Sequence, residues 1–290
     1  MILKKGIILS GGKGTRLYPV TSSTSKQLLP IYDKPLIYYS ISVLMLANIR
    51  EILLITTPED LTKYKKLLKN GSQWGLKISY SIQEKPKGLA QALIIGEKFI
   101  NKDPCALILG DNIFYGNDFT EILNDAAKQT TKYSTIFAYY VKDPKRYGIV
   151  EFDKKFNVKN IKEKPTNPKS NYAVTGLYFY DKNASRYAKR IKPSKRGELE
   201  ITDLNNIYLK NHKLKVKILS RGIAWFDTGT PDSMLDASNY IYNIEKRQGL
   251  KISCPEEIAY NKKWISKSHL NKLFNSYTSS DYIKYLKRIV

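Results

Sequence analysis

Over the first two-thirds of the chain, short apolar runs of strand length alternate with longer amphipathic stretches, the pattern of strands joined by crossover helices. Residues 5–10 (KGIILS) read as a buried strand that runs into a glycine-rich loop, and 51–56, 76–83 and 106–111 read as three more strands. Between them, 36–47 with Pro35 at the first helical position, 59–69 and 90–100 carry helical spacing. Such repetition predicts an α/β fold with a mostly parallel central sheet covered by helices on both faces. After a helix over 118–128 the pattern turns β-rich at 134–141, 148–152 and 171–180, and helical spacing returns at 201–210 and 233–247. The last 30 residues hold seven basic side chains against one Asp, with Trp264, Phe274, Tyr277, Tyr282 and Tyr285 spaced as in packed helices. A core over residues 1–250 and a helical extension over 251–290 packed on it is the simplest organisation.

Composition narrows the chemistry. The 290 residues carry a formal charge of +23, which points to anionic partners: nucleic acid, a membrane surface or phosphorylated small molecules. Of the 49 basic residues 40 are Lys, scattered singly or in pairs, whereas nucleic-acid recognition favours the arginine fork. Most of that Lys therefore reads as solvated surface, and neither nucleic acid nor membrane is expected as a partner. The two His (His212, His269) and two Cys (Cys105, Cys254) lack metal-ligand spacing, and both His sit in polar, surface-like stretches. Zinc chemistry and Ser-His or Cys-His nucleophiles are disfavoured. Few cysteines, no secretory h-region and no apolar run near the ~20 residues of a membrane span suit a soluble cytoplasmic protein.

In a parallel sheet, ligands bind beyond the carboxyl ends of the strands, so the loops there carry the functional information. Gly11-Gly12-Lys13-Gly14-Thr15-Arg16-Leu17 lets the backbone approach a ligand and turn N–H groups toward anionic oxygens, yet it is neither a Walker loop nor the dinucleotide fingerprint. Ser25-Lys26-Gln27-Leu28-Leu29-Pro30 delivers a Lys and a Gln before a buried helix. Together the two segments set Arg16 and Lys26 near one strand end, enough cationic charge to hold a triphosphate.

These segments, with Gly110-Asp111-Asn112-Ile113-Phe114-Tyr115-Gly116, Arg146-Tyr147-Gly148, Glu163-Lys164-Pro165, Arg196-Gly197-Glu198-Leu199-Glu200 and Trp225-Phe226-Asp227-Thr228-Gly229-Thr230, resemble the sugar nucleotidylyltransferases in order over nearly the whole chain. The closest likeness is to the branch that joins dTTP to glucose 1-phosphate. The resemblance implies the Rossmann-like fold of nucleotide-diphospho-sugar transferases. It also implies a reaction in which the sugar-phosphate oxygen attacks the α-phosphorus of dTTP, giving dTDP-glucose and pyrophosphate. Such a reaction needs no protein nucleophile but must bring two anions together and neutralise the leaving group.

By the same resemblance, Gly11, Gly12, Gly14, Thr15 and Arg16 cradle the triphosphate, and Lys26 and Lys164 align the two reacting phosphates. Asp111 and Asp227 hold Mg²⁺, and Gln83, the backbone around Gly88 and Gln27 read thymine. Asn112, Tyr147, Gly148, Glu163 and Val174 line the glucose site. Tyr115, Gly116, Glu121 and Glu257 match a regulatory site where dTDP-L-rhamnose would bind in a homotetramer. Ser10 and Lys13 depart from the common loop pattern. The alternatives are a UTP-dependent enzyme of the same family and, from another class, a basic nucleic-acid-binding protein.

Overall fold

The computed structural model describes residues 3–12, 14–276 and 280–290; Lys13 and Tyr277, both singled out above, lie outside that set. The chain runs β1 (Lys5–Ser10), the short strands β2 (Pro30–Ile31) and β3 (Lys34–Pro35), α1 (Ile37–Leu46), β4 (Glu51–Thr56), α2 (Leu61–Leu68), β5 (Lys77–Ile82), α3 (Gln91–Ile95) and α4 (Glu97–Ile100). There follow β6 (Cys105–Leu109), β7 (Asn112–Gly116), α5 (Phe119–Gln129), β8 (Ser134–Tyr140), β9 (Gly148–Phe152), β10 (Val158–Glu163) and β11 (Tyr172–Tyr180). The last part holds α6 (Ala184–Ala188), α7 (Ile201–Lys210), β12 (Leu214–Ile218), β13 (Ile223–Asp227), α8 (Pro231–Gln248), α9 (Pro255–Asn261), α10 (Lys267–Ser276) and α11 (Asp281–Ile289).

The central sheet runs β10-β9-β11-β6-β1-β4-β5, with β8 and β12 joined through β11. Its heart, β6-β1-β4-β5, is parallel. The antiparallel β11 extends it past β6. The unbroken apolar runs of these strands follow from burial on both faces. Ile7, Leu9, Leu53 and Ile55 pack on one side with α3, α6 and α7, while Ile8, Ile52, Leu54 and Ile108 pack on the other with α1 and the C-terminal helices. Alternation along each strand thus feeds two cores from one sequence run.

Three local expectations change. Pro35 does not open a helix: it pairs with Pro30 in a two-residue ladder, and α1 begins at Ile37. The stretch 90–100 breaks into α3 and α4 at Gly96, where a Cβ would lie 2.6 Å from Ile7 Cδ1; the chain passes too close to β1 for a side chain. The strand expected over 106–111 ends at Leu109, turns through Gly110 and Asp111, and restarts as β7, which pairs antiparallel with β13. That separate two-stranded ladder was invisible to an apolar-run reading because seven of its ten residues are polar or only half-buried.

The C-terminal helices share the main core. Cys254, Ala259, Ile265, Leu270, Ile283 and Leu286 pack in the same cluster as Ile41, Leu44 and Met45 of α1. Glu256 fastens them further, accepting from Trp74 Nε1 at 2.9 Å and from the Tyr282 hydroxyl at 2.6 Å. A buried ionic knot ties the β2–β3 hairpin to the end of α8: Lys34 Nζ is 3.0 Å from Glu245 Oε1, and Lys251 bridges Asp33 and Glu245. Removing one member of such a buried knot exposes the others to an uncompensated charge.

Leu286 is fully buried in α11. Leu286→Ala is therefore expected to cost about 3 kcal/mol of unfolding free energy through lost transfer and a residual cavity. Urea denaturation measures it; a change below about 0.5 kcal/mol would show that the C-terminal helices do not share the core.

Candidate active site

The carboxyl ends of β1, β4, β5 and β6 all open on the same edge, and the loops after them supply the polar groups there. The β7–β13 ladder adds the central feature. Its register sets Asp227 opposite Asn112, so that Asp227 and Asp111, at the turn after β6, come side by side. Asp111 is fixed from several directions. Thr228 Oγ1 donates to its carbonyl at 2.9 Å, Asn112 Nδ2 donates to its Oδ1 at 3.0 Å, and the Lys26 ammonium is paired with its Oδ2.

Asn112 in turn is wedged in place. Its Oδ1 accepts from Trp225 Nε1 at 2.7 Å and from the Gly176 N–H at 3.0 Å, and it fills the space a Cβ on Gly176 would take. One amide hydrogen of Asn112 is left for a ligand, so its main work is to aim Asp111.

Electrostatics follow from this geometry. Burial, and then the neighbouring Asp111 charge, push the Asp227 carboxyl above the ordinary carboxylate range. For Asp111 the same burial is outweighed by Lys26 and by the Asn112 amide, which hold it below that range. Arg16 completes the cluster: its guanidinium lies against Gly229, where a Cβ would come within 2.9 Å of it, and its charge is felt at Asp227. Arg146, unassigned from the sequence, also acts on Asp227 and lies over the Tyr147 ring.

Two hard oxygen donors of like charge, crowded together beside Lys26, fit a magnesium-type cation. Among the described residues no group of three or more His, Cys, Asp or Glu gathers as a metal site. The pair would hold Mg²⁺ with the remaining coordination left to substrate phosphates and water, the usual mode for that ion.

To one side of the carboxylates, a cleft is lined by Tyr147, Gly148, Glu163, Lys164, Val174 and Asp227, which brings the predicted sugar residues together. Glu163 is aimed by Thr202, whose hydroxyl donates to Oε2 at 2.6 Å. Lys164 stays exposed, held by its N–H on the Tyr147 carbonyl at 3.0 Å, with its ammonium only loosely near Glu163. Arg196 lies beside this cleft, 2.9 Å from Glu200 and 3.4 Å from Glu163. It carried no role in the motif reading.

To the other side lies Gln83, just past β5. It is 3% exposed and occupies the space in front of Gly11, where a Cβ would lie 2.2 Å from its Oε1. Gln27 is buried nearby, its Oε1 accepting from Ser25 Oγ at 2.7 Å. Gly88 has φ 97° and approaches Leu199 so closely that a Cβ would sit 2.4 Å from its carbonyl oxygen. Gly12 (φ 134°) and Gly14 (φ 58°) take conformations that favour glycine, and Thr15 opens the short helical turn that carries Arg16.

The residues expected at a regulatory site do not join this cluster. Tyr115 and Gly116 end β7, Glu121 is exposed in the first turn of α5, and Glu257 lies on α9. The Tyr115 hydroxyl donates to Gln248 of α8, while Glu257 accepts from Tyr285 of α11.

A mostly parallel sheet whose strand ends present paired carboxylates, cations and a glycine loop defines an enzyme that handles nucleoside phosphates. The nucleotidyl transferase family matches residues 5–243, and the chain belongs to it. It is similar to glucose-1-phosphate thymidylyltransferase of Neisseria meningitidis serogroup A, at 55% identity over 99% of both chains. The Mycobacterium tuberculosis enzyme of that name is 49% identical over 99% of both. Among solved structures, a Bacillus anthracis chain provisionally given the same activity, in complex with sucrose, superposes with TM-score 0.75 at 40% identity, covering 82% of this chain and 94% of that one. A UDP-glucose pyrophosphorylase bound to UDP-glucose gives TM-score 0.74 at 27% identity over 84% and 100%. No helix among the described residues is long and apolar enough to cross a membrane.

Gly229→Ala meets the far end of the flexible Arg16 side chain. It is therefore expected to leave the melting temperature nearly unchanged while weakening nucleoside triphosphate binding roughly tenfold, the worth of one charge-assisted hydrogen bond. Calorimetric titration reads the affinity; unchanged binding would remove Arg16 from the triphosphate site.

Proposed function

We propose that this chain transfers the thymidylyl group of dTTP to α-D-glucose 1-phosphate, with Mg²⁺, releasing pyrophosphate and yielding dTDP-glucose. The observation that carries the reading is the Asp111–Asp227 pair with its cations Lys26 and Arg16, set between Gln83 on one side and the Glu163 cleft on the other. It is supported by thymidylyltransferase relatives at 45–55% identity, well above the 27% shared with the uridylyl-type structure.

The attacking phosphate oxygen is already anionic, so no residue needs to remove a proton from it. The barrier lies in bringing that oxygen up to a polyanion and in accommodating charge on the departing pyrophosphate. Lys164, exposed on the rim of the sugar cleft, and Lys26, beside Asp111, flank the place where the two phosphates would meet. Arg16, over the glycine loop, faces the leaving group. Bound Mg²⁺ would supply further neutralisation of the phosphate oxygens. Glu163, aimed by Thr202, accepts from sugar hydroxyls, and Tyr147 on Trp225 gives the ring an apolar wall 5.3 Å between centroids. In the same reading the enzyme is a homotetramer inhibited by dTDP-L-rhamnose through the region of Tyr115, Gly116, Glu121 and Glu257, which the motif resemblance supports. The dTDP-glucose formed would feed deoxysugar synthesis.

A pyrophosphate-release assay over dTTP, UTP, CTP, ATP and GTP with several sugar 1-phosphates tests the proposal. Fastest turnover is expected with dTTP and glucose 1-phosphate, and comparable release with all five nucleotides would refute it. Asp111→Asn should lower kcat by on the order of 100-fold or more with the fold intact, because it removes charge without volume. Wild-type turnover at saturating Mg²⁺ would remove Asp111 from the reaction.

A further inference from the structure

Gln83 faces a second glutamine, Gln91, the first residue of α3. The backbone N–H of Lys87 donates to Gln91 Oε1 at 2.9 Å. A backbone N–H requires an acceptor, so the Gln91 atom at that place is its oxygen. The Gln83 atom 2.7 Å from the same oxygen must then be its amide nitrogen. This leaves Gln83 Oε1 turned to the Gly11 side, where the missing Cβ makes room for it.

The loop that supplies the deciding N–H is itself pinned. The Leu199 N–H donates to the Lys87 carbonyl at 2.7 Å, the Ala90 N–H donates to the Leu199 carbonyl at 3.2 Å, and Gly88 is pressed onto the Leu199 backbone between them. Lys87, Gln91 and Gln83 therefore form a chain of constraints that starts on hydrogen-bonded backbone and ends on one carboxamide.

A carboxamide that can flip presents either its oxygen or its N–H at a given point. The pyrimidine edges differ at that level. Thymine and uracil carry a ring N–H between carbonyls, whereas cytosine has a bare ring nitrogen beside an amine. For a base held in one register by its sugar and triphosphate, a freely flipping glutamine can satisfy either edge. A locked one satisfies a single edge and sets lone pair against lone pair, and hydrogen against hydrogen, on the other.

We propose that Gln91 is a specificity-determining positioning residue: by fixing the flip of Gln83 it makes the site select imide-type pyrimidines, thymine or uracil, over cytosine. The proposal rests on the reading that Gln83 faces the base. It also explains why this lock cannot by itself separate thymine from uracil, which share the imide edge.

The test compares kcat/KM for dTTP and dCTP in the wild type, Gln91→Met and Gln91→Glu, with KM for glucose 1-phosphate as a control. Methionine keeps the length of the side chain but loses the acceptor; the glutamate carboxylate still accepts from both Lys87 and Gln83. The dTTP/dCTP preference should fall roughly ten- to hundredfold in Gln91→Met, chiefly through KM for the nucleotide, and stay within about threefold of wild type in Gln91→Glu. A wild-type preference retained in Gln91→Met, or lost equally in Gln91→Glu, overturns the proposal. A wild type that does not discriminate dTTP from dCTP overturns the base-reading role of Gln83 itself. Since Gln91 is only half-buried at a helix start, both variants should fold; if Gln91→Met melts early, Gln91→Ala gives the same comparison.

Discussion

Everything in the site depends on two carboxylates of like charge being held together at the end of a sheet. Left alone, Asp111 and Asp227 would repel, and burial would worsen the repulsion. The fold resists this with covalent and hydrogen-bonded geometry rather than with charge alone. The β7–β13 register fixes both backbones, Thr228 holds the Asp111 carbonyl, and Asn112, wedged between Trp225 and Gly176, aims the carboxylate. Lys26, Arg16 and Arg146 then act on the pair from around it. In the proposed reading, the hard oxygens of the two carboxylates would take a divalent cation arriving with a polyphosphate.

The same economy governs the substrate-facing loops. Three glycines act by making room for a functional side chain: Gly11 for Gln83, Gly229 for Arg16 and Gly176 for Asn112. Each lets a polar group rest against backbone, where it loses little freedom when a ligand arrives. The loop carrying Gly88 is stitched to Leu199, which neighbours Glu200 and Arg196 beside the sugar cleft. The loop beside Gln83 and the rim of the Glu163 cleft thus share one hydrogen-bonded seam, which in the proposed reading would align two substrates before they react.

Much of this was legible in the sequence, and the reasons differ by element. The parallel heart showed because strands buried on both faces write continuous apolar runs, whereas Asp111 and Asp227 were marked as a pair through the motif resemblance. The β7–β13 ladder did not show, since its pairing joins distant segments and most of its residues are polar or only half-buried. Gly96 and Pro35 misled for the same reason: a tertiary contact with Ile7, or a two-residue ladder with Pro30, overrode local preference. Of the site residues, those to which the motifs attach a role were named in advance, whereas Thr228 and Arg146 stood in motifs without one and Gln91 and Thr202 carried none, because all four act on neighbours that only folding brings near. Arg196 was visible within a motif, yet its place beside Glu163 was not. The charge of +23 explains little of the site: in the proposed reading a few cations serve the phosphates, Lys34 is buried in an ionic knot, and most of the other Lys lies on the surface.

The central claim, that the carboxylate pair is a cation site completed by the nucleotide, is tested most directly by titrating Mn²⁺ and following the electron paramagnetic resonance of the free ion. The account predicts weak retention by the protein alone, markedly tighter retention once dTTP is added, and a loss of about tenfold or more in Asp227→Asn with dTTP present. Equal Mn²⁺ affinity with and without dTTP, or an Asp227→Asn protein that holds the ion as the wild type does, would contradict it.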